Sequence, residues 1–97
     1  MKAKQIHEEL NNLAKELGIK IRRESGKFRS GWCVVNDNKL ILVNRTTPAE
    51  TVAVVIARCL AQHDLDNQFV KPAVREFIEA ERSNLETETN FNLEVKY

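Results

Sequence analysis

The chain has 97 residues, of which 42% are hydrophobic and 30% charged, and its net charge is +1. A chain of this length is expected to fold as one domain, residues 1–97, around a single core. It contains no apolar run of the ~20 residues that a membrane-spanning helix requires, and its charged N-terminus does not resemble a secretory signal, so we expect a cytoplasmic protein without a membrane partner.

Charge is distributed unevenly along the chain. Residues 1–30 contain eight Lys or Arg and four Glu, a net charge of +4, whereas residues 76–97 contain two and six, a net charge of −4. Such asymmetry indicates either a nucleic-acid surface or ends that attract each other, within one fold or between two copies. Cys33 and Cys59 both lie in apolar runs, so we expect two reduced, buried thiols.

The first predicted element is a helix over residues 2–17. Its apolar residues recur with a period of 3.6, and Gly18 is placed to end it. Alternation of apolar and polar residues then predicts strands at 19–24 and 28–36. These two strands are separated by a turn at 25–27, and short connections of this kind predict an antiparallel meander.

The third predicted strand, residues 39–44, is apolar on both faces. A strand of this kind is expected to lie at the centre of a sheet or to be covered on both sides. Thr47 then forms a predicted N-cap, with Glu50 completing a capping box. The helix that follows, to about His63, is apolar over so much of its circumference that either the other helices or a second copy of the chain must cover it.

The last third of the chain contains a predicted helix and an ambiguous end. Phe69 and Val70 are expected to be anchors, and Pro72 opens a helix that runs to about residue 84. The strict alternation at 90–97 predicts a C-terminal fourth strand, although residues 85–97 could equally be a frayed tail. The fold class is therefore α+β, in the order α-β-β-β-α-α, with helices packed on a short antiparallel meander.

The residues needed for catalysis are missing from the sequence. His7 and His63, the only histidines, do not belong to a paired metal-binding spacing, and the three glycines do not form a phosphate-binding loop. Neither cysteine is expected to combine exposure with a neighbouring cation, which a reactive thiolate requires. We therefore predict no catalytic residue, no metal and no cofactor, and we expect a protein that is not an enzyme.

The order of elements over residues 3–63 is similar to that of the double-stranded-RNA-binding domain. That family contacts phosphates through lysines at the start of its second helix, where this chain has Pro48-Ala49-Glu50-Thr51. The family's loop between the first strands contains Gly-Pro-x-His, where this chain has Ser25-Gly26-Lys27. The likeness therefore extends to the order of elements but not to the residues that bind RNA.

A second resemblance is to a minimal zincin core, the fold of one class of zinc metalloproteases. The stretch from Gly31 to Asp64 has a similar layout of hairpin, strand and apolar helix, but the positions of His-Glu-x-x-His hold Arg58-Cys59-Leu60-Ala61-Gln62. Metal-assisted hydrolysis is therefore not expected. The segments Gly31–Asn36 and Asp64–Asp66 also resemble those of small, uncharacterised bacterial α+β proteins, a likeness that implies no activity.

These patterns favour a non-enzymatic protein-interaction or structural domain that forms a homodimer. The alternative is binding to duplex RNA or a similar nucleic acid through a basic first hairpin. The predicted self-association surface consists of Val54, Val55, Arg58, Gln62, Phe91, Leu93, Val95 and Tyr97. The predicted nucleic-acid surface consists of Lys20, Arg22, Arg23, Lys27 and Arg29.

Overall fold

The computed structural model describes residues 2–35 and 38–95 and shows an α+β fold with the expected order of elements. The helices are α1 (Ala3–Glu16), α2 (Ala49–Leu60) and α3 (Pro72–Val95). The strands are β1 (Lys20–Glu24), β2 (Gly31–Val35) and β3 (Asn38–Asn44). Gly18 follows α1 with a φ of 76°, the left-handed conformation predicted for a helix-ending glycine.

The sheet is mixed, so the predicted antiparallel meander is wrong. Its strand order is β1-β3-β2, with β1 parallel and β2 antiparallel to β3. The turn predicted at 25–27 is therefore part of a longer crossover, residues 25–30, which carries the chain past the end of β3. The central position of β3 is as predicted from its apolar sequence.

Asn44, the last residue of β3, holds this crossover in place. Its Nδ2 donates to Gly26 O at 2.8 Å and to Phe28 O at 2.9 Å. Its main-chain N donates to Ser30 Oγ at 2.8 Å, and its Oδ1 accepts from the N and Oγ1 of Thr46. Asn44 is only 5% exposed, and these contacts satisfy every donor and acceptor of its side chain.

Helix α2 lies at the centre of the core and is covered by its own chain. It packs between α1, α3 and the sheet. Its fully buried residues, each 0% exposed, are Ile56, Ala57, Cys59 and Leu60. The apolar circumference predicted from the sequence is therefore explained by packing within one domain. A second copy of the chain is not required to bury it.

The two ends of the helical region differ from the prediction. Pro48, not Thr47, is the N-cap residue of α2 and no side chain caps the helix; Thr47 Oγ1 forms a hydrogen bond of 2.7 Å with Ser30 Oγ. Helix α3 continues to Val95, so a strand over residues 90–95 is wrong, and residues 96–97 lie outside the described part of the chain. Extending a formed helix adds one hydrogen bond per residue without a nucleation penalty, whereas a terminal strand first needs a partner.

The helices cover only one face of the sheet. Ile41 and Val43 of β3 are buried against the helices, whereas Leu40 and Leu42, on the opposite face, are partly exposed. Cys33 pairs with Leu40 on this open face and is exposed. The prediction of two buried thiols is therefore right for Cys59 and wrong for Cys33.

Candidate interaction surfaces

An apolar groove opens between the three helices. Its floor is formed by Ile6 of α1, Ala53 and Val54 of α2, and Phe77 of α3, and it encloses about 660 Å³. The remaining lining residues are Ala3, Lys4, His7, Glu8, Asn11, Arg23, Ala49, Glu50 and Glu81. We call this the helical groove. The charged residues of this lining give the groove a polar border of the kind found around protein-binding patches.

The structure brings together only part of the predicted self-association surface. Val54 lines the helical groove, but Val55 is turned toward the core and is partly buried there. Arg58 forms an ion pair of 3.0 Å with Glu81, which lies at the groove's rim. Gln62 is exposed and does not line the groove.

The C-terminal half of that predicted surface falls on residues 91–97, mostly within α3. The main chain at 91, 93 and 95 belongs to α3, which removes the period-2 face that Phe91, Leu93 and Val95 were expected to present. Their side chains, and all of Tyr97, lie outside the described part of the structure.

Phe69 is exposed to solvent, contrary to its predicted role as an anchor. Its exposed fraction is 84%, and among the side chains that the structure describes it is the one large apolar group left exposed. Its neighbours fix its position: Val70 packs partly buried against the core, and Lys71 Nζ contacts Glu9 Oε1 of α1 at 2.8 Å. Phe69 is therefore displayed from an anchored segment, on the flank of α1 opposite the helical groove.

A second groove runs along the free edge of β1. One wall is α1, through Glu8, Asn11, Asn12 and Lys15, and the other is the continuous segment Gly18–Arg23. We call this the edge groove. It contains Lys15, Lys20, Arg22 and Arg23 against a single acidic residue, so its electrostatic potential is positive.

The predicted cationic surface is split by the strand order. Lys20, Arg22 and Arg23 line the edge groove, whereas Lys27 and Arg29 lie in the crossover and outside that lining. A basic first hairpin does not exist, because β3 lies between β1 and β2. Arg22 also contacts Glu24 at 2.7 Å, but both side chains are about half exposed, so this pair contributes little to stability.

Two titratable groups are perturbed near the C-terminal end of α2. Burial raises the pKa of the Cys59 thiol, and the nearby positive charge of Lys39 offsets part of this shift. Burial lowers the pKa of His63, and Lys39 lowers it further. The Nε2 atom of His63 is buried without a hydrogen-bond partner. A buried neutral thiol is a poor nucleophile, so Cys59 is a core residue.

Among the side chains that the structure describes, those of His, Cys, Asp and Glu do not form a cluster of three that could hold a metal ion. The helices described there are too short or too polar to cross a bilayer. Comparisons with protein families, with curated proteins and with solved structures found no match.

Sequence reasoning missed both grooves for the same reason. Each is made by residues from elements far apart in the chain, such as Ile6 with Phe77 or Lys15 with Arg23. The sequence identified the cations of β1, but it did not show that residues of α1 lie beside them. Phe69 could have been recognised by its setting among polar and charged loop residues, where a phenylalanine has few core neighbours.

Proposed function

We propose that the protein is a non-enzymatic interaction domain that forms a homodimer in the cytoplasm. The observation that carries the proposal is the combination of one displayed aromatic side chain, Phe69, with one open apolar groove on the opposite flank of α1. A reciprocal contact, in which Phe69 of each copy enters the helical groove of the other, covers both features. Contacts of this kind are isologous and close at two copies.

The chemistry of the two surfaces supports this pairing. Phe69 lines a small surface cleft together with Glu9, Glu16 and Lys71, and Lys4, Glu8, Arg23 and Glu50 line the helical groove. Both surfaces therefore offer charges of both signs around an apolar centre. An aromatic anchor inside a polar ring is typical of the residues that dominate binding energy at interfaces.

The expected dimer is weak. Burying a phenylalanine side chain contributes about 1.5–3 kcal/mol, so two reciprocal contacts supply about 3–6 kcal/mol. Association costs at least about 4 kcal/mol in lost translational and rotational freedom. Additional burial of Ile6, Val54 and Phe77 must supply the surplus, so the dimer should dissociate measurably on dilution.

Sedimentation equilibrium over a range of concentrations tests the proposal. Wild type should show a monomer–dimer equilibrium, which Val54→Glu and Phe69→Glu should each abolish by placing a charge in the contact. Thr51→Glu is the matched control, because it adds the same charge at an exposed position of the same helix outside the groove. Circular dichroism would show that each variant remains folded.

A mixing experiment tests the specific pairing. Val54→Lys and Phe69→Glu should each be monomeric alone, yet a mixture should form a heterodimer with one wild-type contact and one Lys–Glu contact. A wild-type chain that stays monomeric at high concentration overturns the homodimer. A mixture that does not associate overturns the pairing of Phe69 with the groove.

The free thiols agree with the proposed location. Neither Cys33 nor Cys59 forms a disulfide, which is the usual state of cysteines in a reducing compartment.

A further inference from the structure

We propose that the edge groove binds an extended acidic peptide by strand addition to β1. This site is distinct from the homodimer contact proposed above, because it uses the sheet edge rather than Phe69 or the floor of the helical groove, although Glu8, Asn11 and Arg23 line both grooves. The partner is defined by its chemistry: a segment in extended conformation that presents Asp or Glu side chains at alternate positions.

The main chain of β1 is open for hydrogen bonding on one side. Among the strands that the structure describes, β1 pairs only with β3, and Glu24 O accepts a hydrogen bond from Arg45 N at 3.0 Å. The main-chain groups of Glu24 are thus turned toward β3. Because such groups alternate in direction along a strand, those of Ile21 and Arg23 are turned to the free edge. An added strand can therefore form donor and acceptor contacts with both residues.

The walls of the groove determine which strand fits. Lys15 of α1 lines the same groove as Lys20, Arg22 and Arg23 of β1, and Glu8 is the one acidic residue in the lining. These cations attract carboxylates and repel the β1 strand of a second copy, which carries the same charges. The edge thus excludes pairing with itself and favours an acidic strand.

A peptide suits the groove better than a nucleic acid does. A free strand edge presents carbonyl oxygens between its N–H groups, and carbonyl oxygens repel phosphates but accept hydrogen bonds from peptide N–H groups. Nucleic-acid binding also depends on neutralising many phosphates. Lys27 and Arg29, which would extend a phosphate track, lie outside the groove lining.

Fluorescence anisotropy with the full chain and labelled probe peptides tests the inference. The first probe alternates valine with glutamate, the second alternates valine with lysine, and the third is the glutamate peptide with N-methyl groups at alternate residues. Only the first should bind, and its binding should weaken as salt rises. N-methylation removes the main-chain donors and leaves every side-chain charge in place.

Charge-reversal variants locate the binding site. Lys20→Glu and Lys15→Glu should each weaken binding of the glutamate peptide about tenfold, from the loss of one exposed attraction and the gain of one repulsion. Lys27→Glu, the matched control in the crossover, should change it less than about twofold. Lys15 lies on α1, so Lys15→Glu still tests the binding site if a substitution in β1 perturbs the sheet.

Three results would overturn the inference: equal binding of the N-methylated peptide, an equal effect of Lys27→Glu and Lys20→Glu, or tighter binding of duplex RNA than of the glutamate peptide. The variant Val54→Glu separates the two proposals, because it should abolish the dimer and leave peptide binding unchanged. Loss of either property alone therefore identifies which proposal has failed.

Discussion

Replacement of Asn44 by alanine should weaken the fold far more than replacement of an ordinary polar residue. The substitution removes four side-chain hydrogen bonds, to Gly26 O, Phe28 O and the N and Oγ1 of Thr46. At about 0.5–1.5 kcal/mol per bond, and with some of the crossover groups regaining water, the free energy of unfolding should fall by about 2–4 kcal/mol. For a domain of this size, Tm should fall by about 10–25 °C.

Urea denaturation followed by circular dichroism measures this loss of stability. Two further variants serve as comparisons. Asn67→Ala, at an exposed loop position, should stay within about 0.5 kcal/mol of wild type. Asn44→Asp keeps the acceptors and shape but loses both N–H donors, so its carboxylate faces two carbonyl oxygens at neutral pH. Its deficit should shrink as the pH falls toward about 4 and the carboxyl group becomes protonated.

A small effect would refute the role assigned to this residue. If Asn44→Ala lies within about 0.5 kcal/mol of wild type, as expected for an ordinary surface position, then Asn44 does not hold the crossover. If Asn44→Asp is as stable as wild type at neutral pH, the donors to Gly26 and Phe28 are not needed.

Three further predictions concern single residues. Gly18→Ala should destabilise the protein by about 1 kcal/mol through its positive φ alone, because an added Cβ meets no atom within 4 Å. Urea denaturation should show this loss of stability relative to the control variant Asn67→Ala. Cys33 should react rapidly with a thiol reagent under native conditions and Cys59 only on unfolding, since Cys59 is buried with a raised pKa; equal native rates would contradict the assigned burial. His63 has a lowered pKa in the fold, so the unfolded chain binds its proton more readily, and stability should be full above about pH 6.5 and decline as the pH falls below it. The urea midpoint of His63→Gln should depend less on pH over that range, and an unchanged dependence would assign the effect to other groups.

The helices and the identity of the central strand were predictable because their signals are local. The apolar stripe from Ile6 to Leu17 and the doubly apolar β3 each report burial directly. The partners of β1 were not predictable in the same way, because Gly26 in a short polar segment is typical of both a hairpin and a crossover. The relevant signal was Asn44, a polar residue at the end of an apolar strand. Its hydrogen bonds to the crossover can be recognised only once the path of the crossover is known.

The helical C-terminal segment and the two grooves were not predicted from the sequence, for different reasons. Alternation over 90–97 is a strand signal in isolation, but the preceding helix lowers the cost of continuing as helix. The grooves depend on distances between elements that sequence spacing does not encode. Residue types alone identified Val54, Lys20, Arg22 and Arg23. Three-dimensional packing places Val54 in the helical groove, Lys20 and Arg22 in the edge groove, and Arg23 in the lining of both.

The β1-β3-β2 order also determines when the sheet can be completed during folding. Val35 and Asn38, close together in sequence, pair in the antiparallel β2–β3 hairpin, whereas the partner of Lys20 is Leu40, which lies beyond the whole crossover and β2. Contacts between residues distant in sequence form at a higher entropic cost, so the hairpin should form early and β1 should dock late. Stopped-flow measurements should then show that Asn44→Ala accelerates unfolding while leaving the refolding rate almost unchanged, because the bonds it removes form after the rate-limiting step.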